Sequence, residues 1–113
     1  MPTQETAVVV EKGYAFALWL VKKVERFPKS YRFSMGDRIV ARSLDLQEAL
    51  LEAAYSRIKQ QPLERASHHI NALRYLLRMA KDLGLIGAEP YGFASESLEE
   101  IGRMTGGWRK RAQ

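Results

Sequence analysis

The sequence predicts an all-α fold, an up-down antiparallel four-helix bundle formed by a single domain over residues 1–113. Apolar residues recur at helical spacing in four successive segments, and no segment alternates apolar and polar residues as a strand does. Short breaks with proline or glycine separate the segments, so neighbouring helices are expected to run antiparallel. With 113 residues, of which 46% are hydrophobic, the chain is long enough for one core.

The first helix is predicted over residues 9–27, because Pro28 disfavours α-helical backbone at the residue before it. One predicted apolar face of this helix consists of Tyr14, Leu18, Val21 and Val24. A second apolar line beside it consists of Phe16, Leu20 and Phe27.

Residues 14–21 are apolar around the whole circumference of this helix. A bundle helix needs only one apolar stripe, so a helix of this kind is expected to be buried on more than one side. We therefore expect the chain to self-associate through helix one, with an interface that contains Tyr14, Phe16, Trp19 and Leu20. The alternative is a helix on a membrane surface, which is disfavoured because the segment has no basic face.

The second helix is predicted over residues 34–61, with Ser34 as its N-cap and Asp37 completing a variant of the capping box. The third helix is predicted over residues 62–83, with Pro62 in its first turn and Gly84 as a left-handed C-terminal cap. The apolar residues expected on the inner face of helix three are Ile70, Leu73, Leu77 and Ala80.

The fourth helix is predicted over residues 90–105, and Gly106 and Gly107 are expected to stop it. Its expected inner face consists of Ala94, Leu98, Ile101 and Met104. Residues 106–113 are then predicted to be a frayed basic tail that Trp108 anchors.

Positive charge is segregated along the chain, whose net charge is +5. Residues 22–42 hold seven bases and two acids, residues 103–113 hold four bases and no acid, and residues 43–102 hold six bases and nine acids. Segregation of this kind favours a polyanionic partner such as RNA or DNA. The alternative is a solvated basic surface without a partner.

The chain lacks features of secreted or membrane proteins. It contains no cysteine, the start of the sequence lacks the basic flank of a signal peptide, and its longest apolar run is far too short to span a bilayer. We therefore expect a cytoplasmic protein without a membrane partner.

Catalytic, cofactor and metal motifs are not found in the sequence. His68 and His69 are adjacent and so lie about 100° apart on a helix, whereas two ligands of one metal need a spacing of three or four residues. The sequence has no glycine-rich phosphate loop and no nucleophile elbow. We expect a protein without catalytic activity, cofactor or metal.

Basic residues form two lines at helical spacing. Arg74, Arg78 and Lys81 follow one another on helix three, in a line expected to lie opposite its apolar face. Arg38 and Arg42 form a shorter pair on helix two. Arginine suits two-pronged recognition of phosphate or carboxylate, so both lines are candidate contacts for nucleic acid or a protein partner. The alternative is a solvated helix surface.

The joint at residues 26–38 interleaves four bases with three aromatic residues. Pro28 and the predicted cap at Ser34 are expected to set the angle between helices one and two, while Phe27 and Phe33 pack. The bases left as contact candidates are Lys29, Arg32 and Arg38.

Five segments in this order carry a family resemblance. They are Tyr-x-x-x-Leu-Trp-Leu (14–20), Arg-Phe-Pro-Lys-Ser-Tyr-Arg-Phe-Ser-Met-Gly-Asp-Arg (26–38), Leu-Leu-Glu-Ala-Ala-Tyr-Ser (50–56), Leu-Arg-Tyr-Leu-Leu-Arg-Met-Ala-Lys-Asp-Leu (73–83) and Glu-Glu-Ile-Gly-Arg-Met-Thr-Gly-Gly-Trp (99–108). Together they resemble the accessory variability determinant (Avd) proteins of diversity-generating retroelements, within the four-helix-bundle group of the 23S ribosomal RNA intervening-sequence proteins.

The resemblance implies a barrel-shaped homopentamer without catalytic activity of its own. It also implies binding to the reverse transcriptase of the same retroelement and to RNA or DNA, in support of mutagenic copying of a template repeat. The leading basic contacts are then Arg74, Arg78 and Lys81, followed by Arg38 and Arg42. The alternative is a structural bundle of the ribosomal intervening-sequence type that has no polymerase partner.

Overall fold

The structure, a computed structural model, describes residues 3–112. Its elements are α1 (Gln4–Val24), α2 (Lys29–Tyr31), a π-helical turn (Arg32–Gly36), α3 (Asp37–Tyr55), α4 (Gln60–Asp82) and α5 (Ala88–Ala112). Helices α1, α3, α4 and α5 form a bundle of 42 × 23 × 18 Å, and the described residues contain no strand. The predicted all-α four-helix fold is confirmed.

The four long helices form a closed ring in which each packs against its neighbours in the chain and α5 returns to α1. Ion pairs show that α1 and α5 run antiparallel: Lys12 pairs with Glu100 at 2.8 Å, whereas Glu5 pairs with Arg111 at 3.6 Å. Between α3 and α4, Glu52 pairs with Arg65 at 2.7 Å across the short loop that joins them.

The core lies along the bundle axis and receives leucines from every long helix. Leu20, Leu50, Leu73 and Leu98 are all buried. Burying a leucine side chain contributes roughly 1.5–3 kcal/mol, so this shared core holds the four helices together. The predicted inner faces of helices three and four are confirmed, with Met104 only partly buried.

Helix α1 begins five residues earlier than predicted, at Gln4. Thr3 is its N-cap, because the Thr3 hydroxyl oxygen accepts a hydrogen bond from the Thr6 backbone N–H at 3.2 Å. Val9 in this first part of the helix is buried in the core. The apolar residues after Thr6 therefore belong to α1 and pack in the bundle.

The structure separates the two apolar lines that were predicted for α1, although Val24 of the first line is buried. Tyr14 is 56% exposed and Leu18 is also exposed, whereas Phe16 and Leu20 from the second line are buried in the core. Gly13 lies on the same side as Phe16 and allows Leu50 and Gln47 of α3 to approach closely. Because α1 is apolar all round, this close approach, and not the apolar pattern, decides which side faces inward.

The joint after α1 differs from the predicted capping box at Ser34. The second helical segment already begins at Lys29, with Pro28 as the residue before it, and Ser34 lies inside the π-helical turn. The Ser34 hydroxyl donates to the Tyr31 carbonyl oxygen at 3.4 Å and caps no helix. Proline suits this N-terminal position because helix-start N–H groups lack partners in any case.

Close packing explains the turn. A Cβ atom at Gly36 would lie 2.6 Å from Cγ1 of Val24, so α1 and the turn approach more closely than a side chain would allow. Phe27 packs as expected, but Phe33 is 69% exposed, which corrects the prediction that it is buried.

Helix α3 ends at Tyr55 and not at residue 61. The Ser56 hydroxyl oxygen accepts from the Ile58 N–H at 3.2 Å, a local hydrogen bond that competes with helix continuation. The Lys59 ammonium group then donates to the carbonyl oxygens of Ala53 and Ser56 at 2.7 and 2.8 Å. A lysine at this end also interacts favourably with the helix dipole.

Helix α5 continues through both glycines to Ala112, so the prediction of a frayed tail is wrong. Trp108 is 4% exposed and Thr105 is also buried. Each glycine costs a helix about 1 kcal/mol, whereas burying a large aromatic side chain contributes more than that. At the end of α4, Gly84 adopts φ +77°, as expected for its cap. No helix within residues 3–112 is long and apolar enough to cross a membrane.

Candidate nucleic-acid interface

A groove between α4 and α5 contains two of the predicted basic contacts. It has a volume of about 310 Å³. Its lining residues are Arg74, Tyr75, Leu77, Arg78, Tyr91, Ser95, Leu98 and Glu99. Leu77 and Leu98 are core residues, so the groove has an apolar floor below charged and aromatic walls. The basic line therefore borders α5 and does not lie opposite the apolar face of α4, which corrects the prediction.

Arg74 is held in place by two neighbours. Its Nη1 donates to Oδ1 of Asn71 at 3.0 Å, one turn earlier on α4. Its Nη2 lies so near the backbone of Gly102 that a Cβ atom there would be 3.0 Å away. The guanidinium group thus spans from α4 to α5 and remains exposed to solvent.

Lys81 lies beyond the two arginines on the same helix, near Tyr91 of α5. Its Nζ is 5.2 Å from the centroid of the Tyr91 ring, a cation–π distance. This contact places a third cation next to the aromatic wall of the groove. The line of three cations along α4 can therefore follow an anionic strand.

Glu99 and Arg78 face the same groove with opposite charges. Among the described residues, the ion pairs within 4.0 Å are those of Lys12 with Glu100, Arg65 with Glu52 and Arg111 with Glu5. Neither Glu99 nor Arg78 takes part in any of them. Both charged groups are therefore available to a ligand in the groove.

The second predicted basic line lies elsewhere. Arg42 Nη1 is 3.1 Å from Nδ1 of His69, at the contact between α3 and α4. Arg32 donates to the Phe27 carbonyl oxygen at 3.4 Å, so it also helps to hold the joint. Lys29 and Arg38 are exposed. The structure does not bring any of these four residues into the α4–α5 groove.

Burial is the main reason why the pKa of His69 lies below its usual value of 6.5. Asp45 acts in the opposite direction, while Arg42 and, to a smaller extent, His68 and Arg65 also lower the pKa. The neutral imidazole can accept the hydrogen bond from Arg42. Among residues 3–112, no three histidine or acidic side chains are grouped so that they could hold a metal ion.

Comparison with known proteins places the chain in a family. The sequence matches the bAvd-like family over residues 7–112. The chain belongs to the bAvd-like family. The resemblance to the Avd group noted in the sequence is thereby confirmed, and it covers nearly the whole bundle.

A crystal structure from Bacteroides thetaiotaomicron, described as a protein with unknown function from the S23 ribosomal protein family, has the same fold as this bAvd-like protein. The two share 22% sequence identity with a TM-score of 0.86, over 95% of this chain and 99% of the other. At this identity the likeness concerns the fold alone. None of the curated proteins matches this chain.

The predicted interface residues of this bAvd-like chain fall into two groups. Phe16 and Leu20 are 4% and 2% exposed within the protomer core, so they are corrected to core residues that cannot form a surface contact. Tyr14 is exposed, and Trp19 is partly buried against Phe93, with ring centroids 5.0 Å apart. Of the four predicted interface residues, Tyr14 and Trp19 remain available to a partner.

Exposed apolar residues on α3 continue the surface around Tyr14. The Gln47 side chain of α3 lies against Gly13, next to Tyr14. Leu44, Leu51 and Tyr55 share the line of Gln47 at helical spacing, and all three are exposed. We define the α1–α3 apolar face as Tyr14, Leu18, Leu44, Leu51 and Tyr55. The α3 half of this face was not predicted, although the helical spacing of Leu44, Leu51 and Tyr55 indicates it.

The α5 wall of the groove was also missed. Tyr91, Ser95 and Glu99 are four residues apart and therefore form one line on α5. This spacing, beside the inner face of helix four, indicates the line from the sequence alone. It does not show that the line faces Arg74 and Arg78, because that depends on how the two helices pack.

Proposed function

We propose that this bAvd-like protein is a non-catalytic accessory subunit of a diversity-generating retroelement. In this role it binds the reverse transcriptase of the element and nucleic acid in the cytoplasm, and it supports mutagenic copying of a template repeat. The observation that carries the proposal is the α4–α5 groove, with its line of cations, in a chain of the bAvd-like family.

Nucleic acid is the ligand that fits this groove best. Arg74, Arg78 and Lys81 follow α4 over about 10 Å at 1.5 Å per residue, so they can meet successive parts of a phosphate backbone. Lys81 adds a cation beside Tyr91. The net charge of +5 attracts a polyanion from a distance.

A second basic surface is available to the reverse transcriptase or to a further stretch of nucleic acid. Lys29 and Arg38 are exposed, and Arg42 is partly exposed at the α3–α4 contact. Arg42 lies at the α3–α4 contact, whereas the groove lies between α4 and α5. The two surfaces can therefore hold two ligands at the same time, as an accessory subunit requires.

Self-association completes the proposal. The α1–α3 apolar face presents five large apolar side chains on two adjacent helices, and Tyr55 is 71% exposed among them. A contiguous apolar patch of this kind typically marks a protein interface. We infer that copies of the chain meet through this face in a closed homo-oligomer, a pentamer by the family resemblance.

The decisive experiment compares two triple variants of equal charge. Replacing Arg74, Arg78 and Lys81 with glutamine should weaken binding of labelled RNA and DNA by tenfold or more at low salt. It should also lower the slope of log affinity against log salt by about 2–3, since three phosphate contacts are lost. The control replaces Lys22, Arg57 and Lys110, which are exposed and do not line the groove.

Equal affinity in the two triple variants would contradict the groove as the binding site. Co-expression with the reverse transcriptase of the same retroelement should yield a co-purifying complex. If neither the polymerase nor nucleic acid binds, the structural-bundle alternative of the ribosomal intervening-sequence type is favoured. Light scattering tests the oligomer, and a monomer would contradict the proposed use of the α1–α3 apolar face.

A further inference from the structure

We propose that the α4–α5 groove takes up one unpaired nucleobase and prefers bases with an amino group, namely cytosine, adenine and guanine, over uracil and thymine. This inference rests on the proposed nucleic-acid binding and adds the form of nucleic acid and the base preference. It follows from the size of the groove, its aromatic walls and the position of Glu99.

The size of the groove sets the form of the ligand. A space of about 310 Å³ between two packed helices admits a base with its sugar, but it does not admit a base pair within a stacked duplex. The floor of Leu77 and Leu98 is apolar, as the flat face of a base requires. The groove therefore selects an unpaired nucleotide.

Both walls carry a tyrosine. Tyr75 stands on α4 and is exposed, while Tyr91 stands on α5 and is partly buried. Bases of single strands stack on aromatic side chains of this kind, whatever their sequence. Lys81 lies next to Tyr91 and Arg74 and Arg78 line the same groove, so cations are at hand for the phosphate of a stacked nucleotide.

Glu99 supplies the preference among bases. An ionised carboxylate only accepts hydrogen bonds, so it pairs with the amino groups of cytosine, adenine and guanine. Uracil and thymine present at this edge a single N3–H donor between two carbonyl oxygens, and these oxygens repel a carboxylate that approaches the donor. A site for phosphate alone would gain nothing from an acid that lines the same groove as two arginines.

A carboxylate-rich protein segment is the competing occupant of the groove. Arg74 and Arg78 would attract its carboxylates, but Glu99 would repel them, and no such segment needs two aromatic walls. The groove combines cations, tyrosines and one carboxylate that makes no ion pair within residues 3–112, and this combination matches the three parts of a nucleotide better.

The test uses fluorescence anisotropy at neutral pH with labelled oligocytidine, oligoadenosine, oligouridine and a blunt RNA duplex. The wild-type chain should bind oligocytidine about tenfold more tightly than oligouridine, as one base-edge contact would give. Glu99→Gln should reduce this difference to twofold or less, because an amide both donates and accepts. Glu96→Gln is the matched control, since it removes the same charge from α5 outside the groove.

Aromatic stacking is tested by Tyr75→Ser, a change at an exposed side chain that leaves the core intact. It should weaken binding of the unpaired oligomers about tenfold and leave duplex binding within twofold. Tyr91→Leu should act in the same way, with circular dichroism to show that the helices are retained.

Three results would overturn the inference. One is a wild-type chain that binds oligocytidine and oligouridine equally; another is an equal effect of Glu99→Gln and Glu96→Gln. The third is that substitutions in the groove weaken only the binding of the reverse transcriptase, which would make the groove a protein-binding site. In the first two cases, nucleic-acid binding that still depends on Arg74, Arg78 and Lys81 leaves the proposed function standing. A wild-type chain that binds no nucleic acid contradicts both this inference and the proposed function.

Discussion

The guanidinium group of Arg74 lies against the backbone of Gly102, where a Cβ atom would stand 3.0 Å from Nη2 of Arg74 and 3.6 Å from Cγ2 of Ile70. Position 102 therefore influences the groove through Arg74, although Gly102 has no side chain and does not line it. The missing side chain lets a cation of α4 reach across α5 while Asn71 holds its other nitrogen.

Gly102→Ala should separate stability from binding. Alanine favours a helix over glycine by about 1 kcal/mol, and the flexible end of Arg74 can move by a few tenths of an ångström, so the free energy of unfolding should rise. Nucleic-acid affinity should fall about twofold to threefold, because Arg74 is displaced. Urea unfolding and anisotropy measure the two effects.

Gly92→Ala is the control for this prediction, because a Cβ atom at Gly92 has open space around it. It should raise stability by a similar amount without any change in affinity. A loss of stability in Gly102→Ala alone would show that the position of Arg74 is rigid.

Gly36→Ala should destabilise the fold by about 1–3 kcal/mol, the usual range for overpacking a core. The new Cβ atom would meet the branched and buried Val24 side chain, which cannot move aside as a lysine or arginine can. Thermal and urea unfolding measure the loss. Gly106→Ala, with open space around position 106, should instead be neutral or stabilising.

Trp108→Ala should destabilise the fold by about 3–5 kcal/mol, because the indole is buried in the bundle. Lys110→Ala, in the same turn but exposed, should change stability by less than about 0.5 kcal/mol. Equilibrium urea unfolding compares the two. Equal and small effects would mean that the last turns of α5 do not pack.

His69 should make stability depend on pH. Its pKa is lowered in the folded protein, so in the window from 6.5 down to the folded pKa the unfolded chain binds the proton first. The contribution of neutral His69 is fully present above pH 6.5 and is lost as the pH falls through that window.

Urea unfolding at a series of pH values between 5 and 8 measures this effect, with 6.5 as the reference pKa. His69→Gln should flatten the curve, whereas His68→Gln should change it much less, because His68 is only a minor cause of the lowered pKa of His69. An unaltered slope in His69→Gln would assign the pH dependence to another group.

Local signals in the sequence predicted α4 well and the joint poorly. Pro62 and Gly84 bracket α4 within about two residues, because a proline and a left-handed glycine act through their own backbone. Ser34 had the side chain of a cap, yet the turn around it depends on the contact between Gly36 and Val24. That contact joins the end of α1 to the π-helical turn, so the residues next to Ser34 do not predict it.

Burial in the core also determines where α1 begins and where α5 ends. Trp108 keeps α5 helical through two glycines, and Val9 draws the start of α1 into the core. The same limit applies to the groove. Helical spacing placed Arg74, Arg78 and Lys81 on one line, but only the packing of α4 on α5 shows that this line faces Tyr91 and Glu99.

The contact between α1 and α5 has a consequence for motion in the bundle. These helices approach each other less extensively than the other neighbouring pairs, and two ion pairs and the contact of Trp19 with Phe93 join them. Salt screens exposed ion pairs, whereas it leaves buried leucines unaffected. This side of the bundle should therefore open first, and hydrogen exchange in the facing sides of α1 and α5 should become faster with ionic strength while α4 stays protected. The ring of four helices is thus closed by a seam between α1 and α5 that responds to salt, while each of these two helices stays packed against its other neighbour.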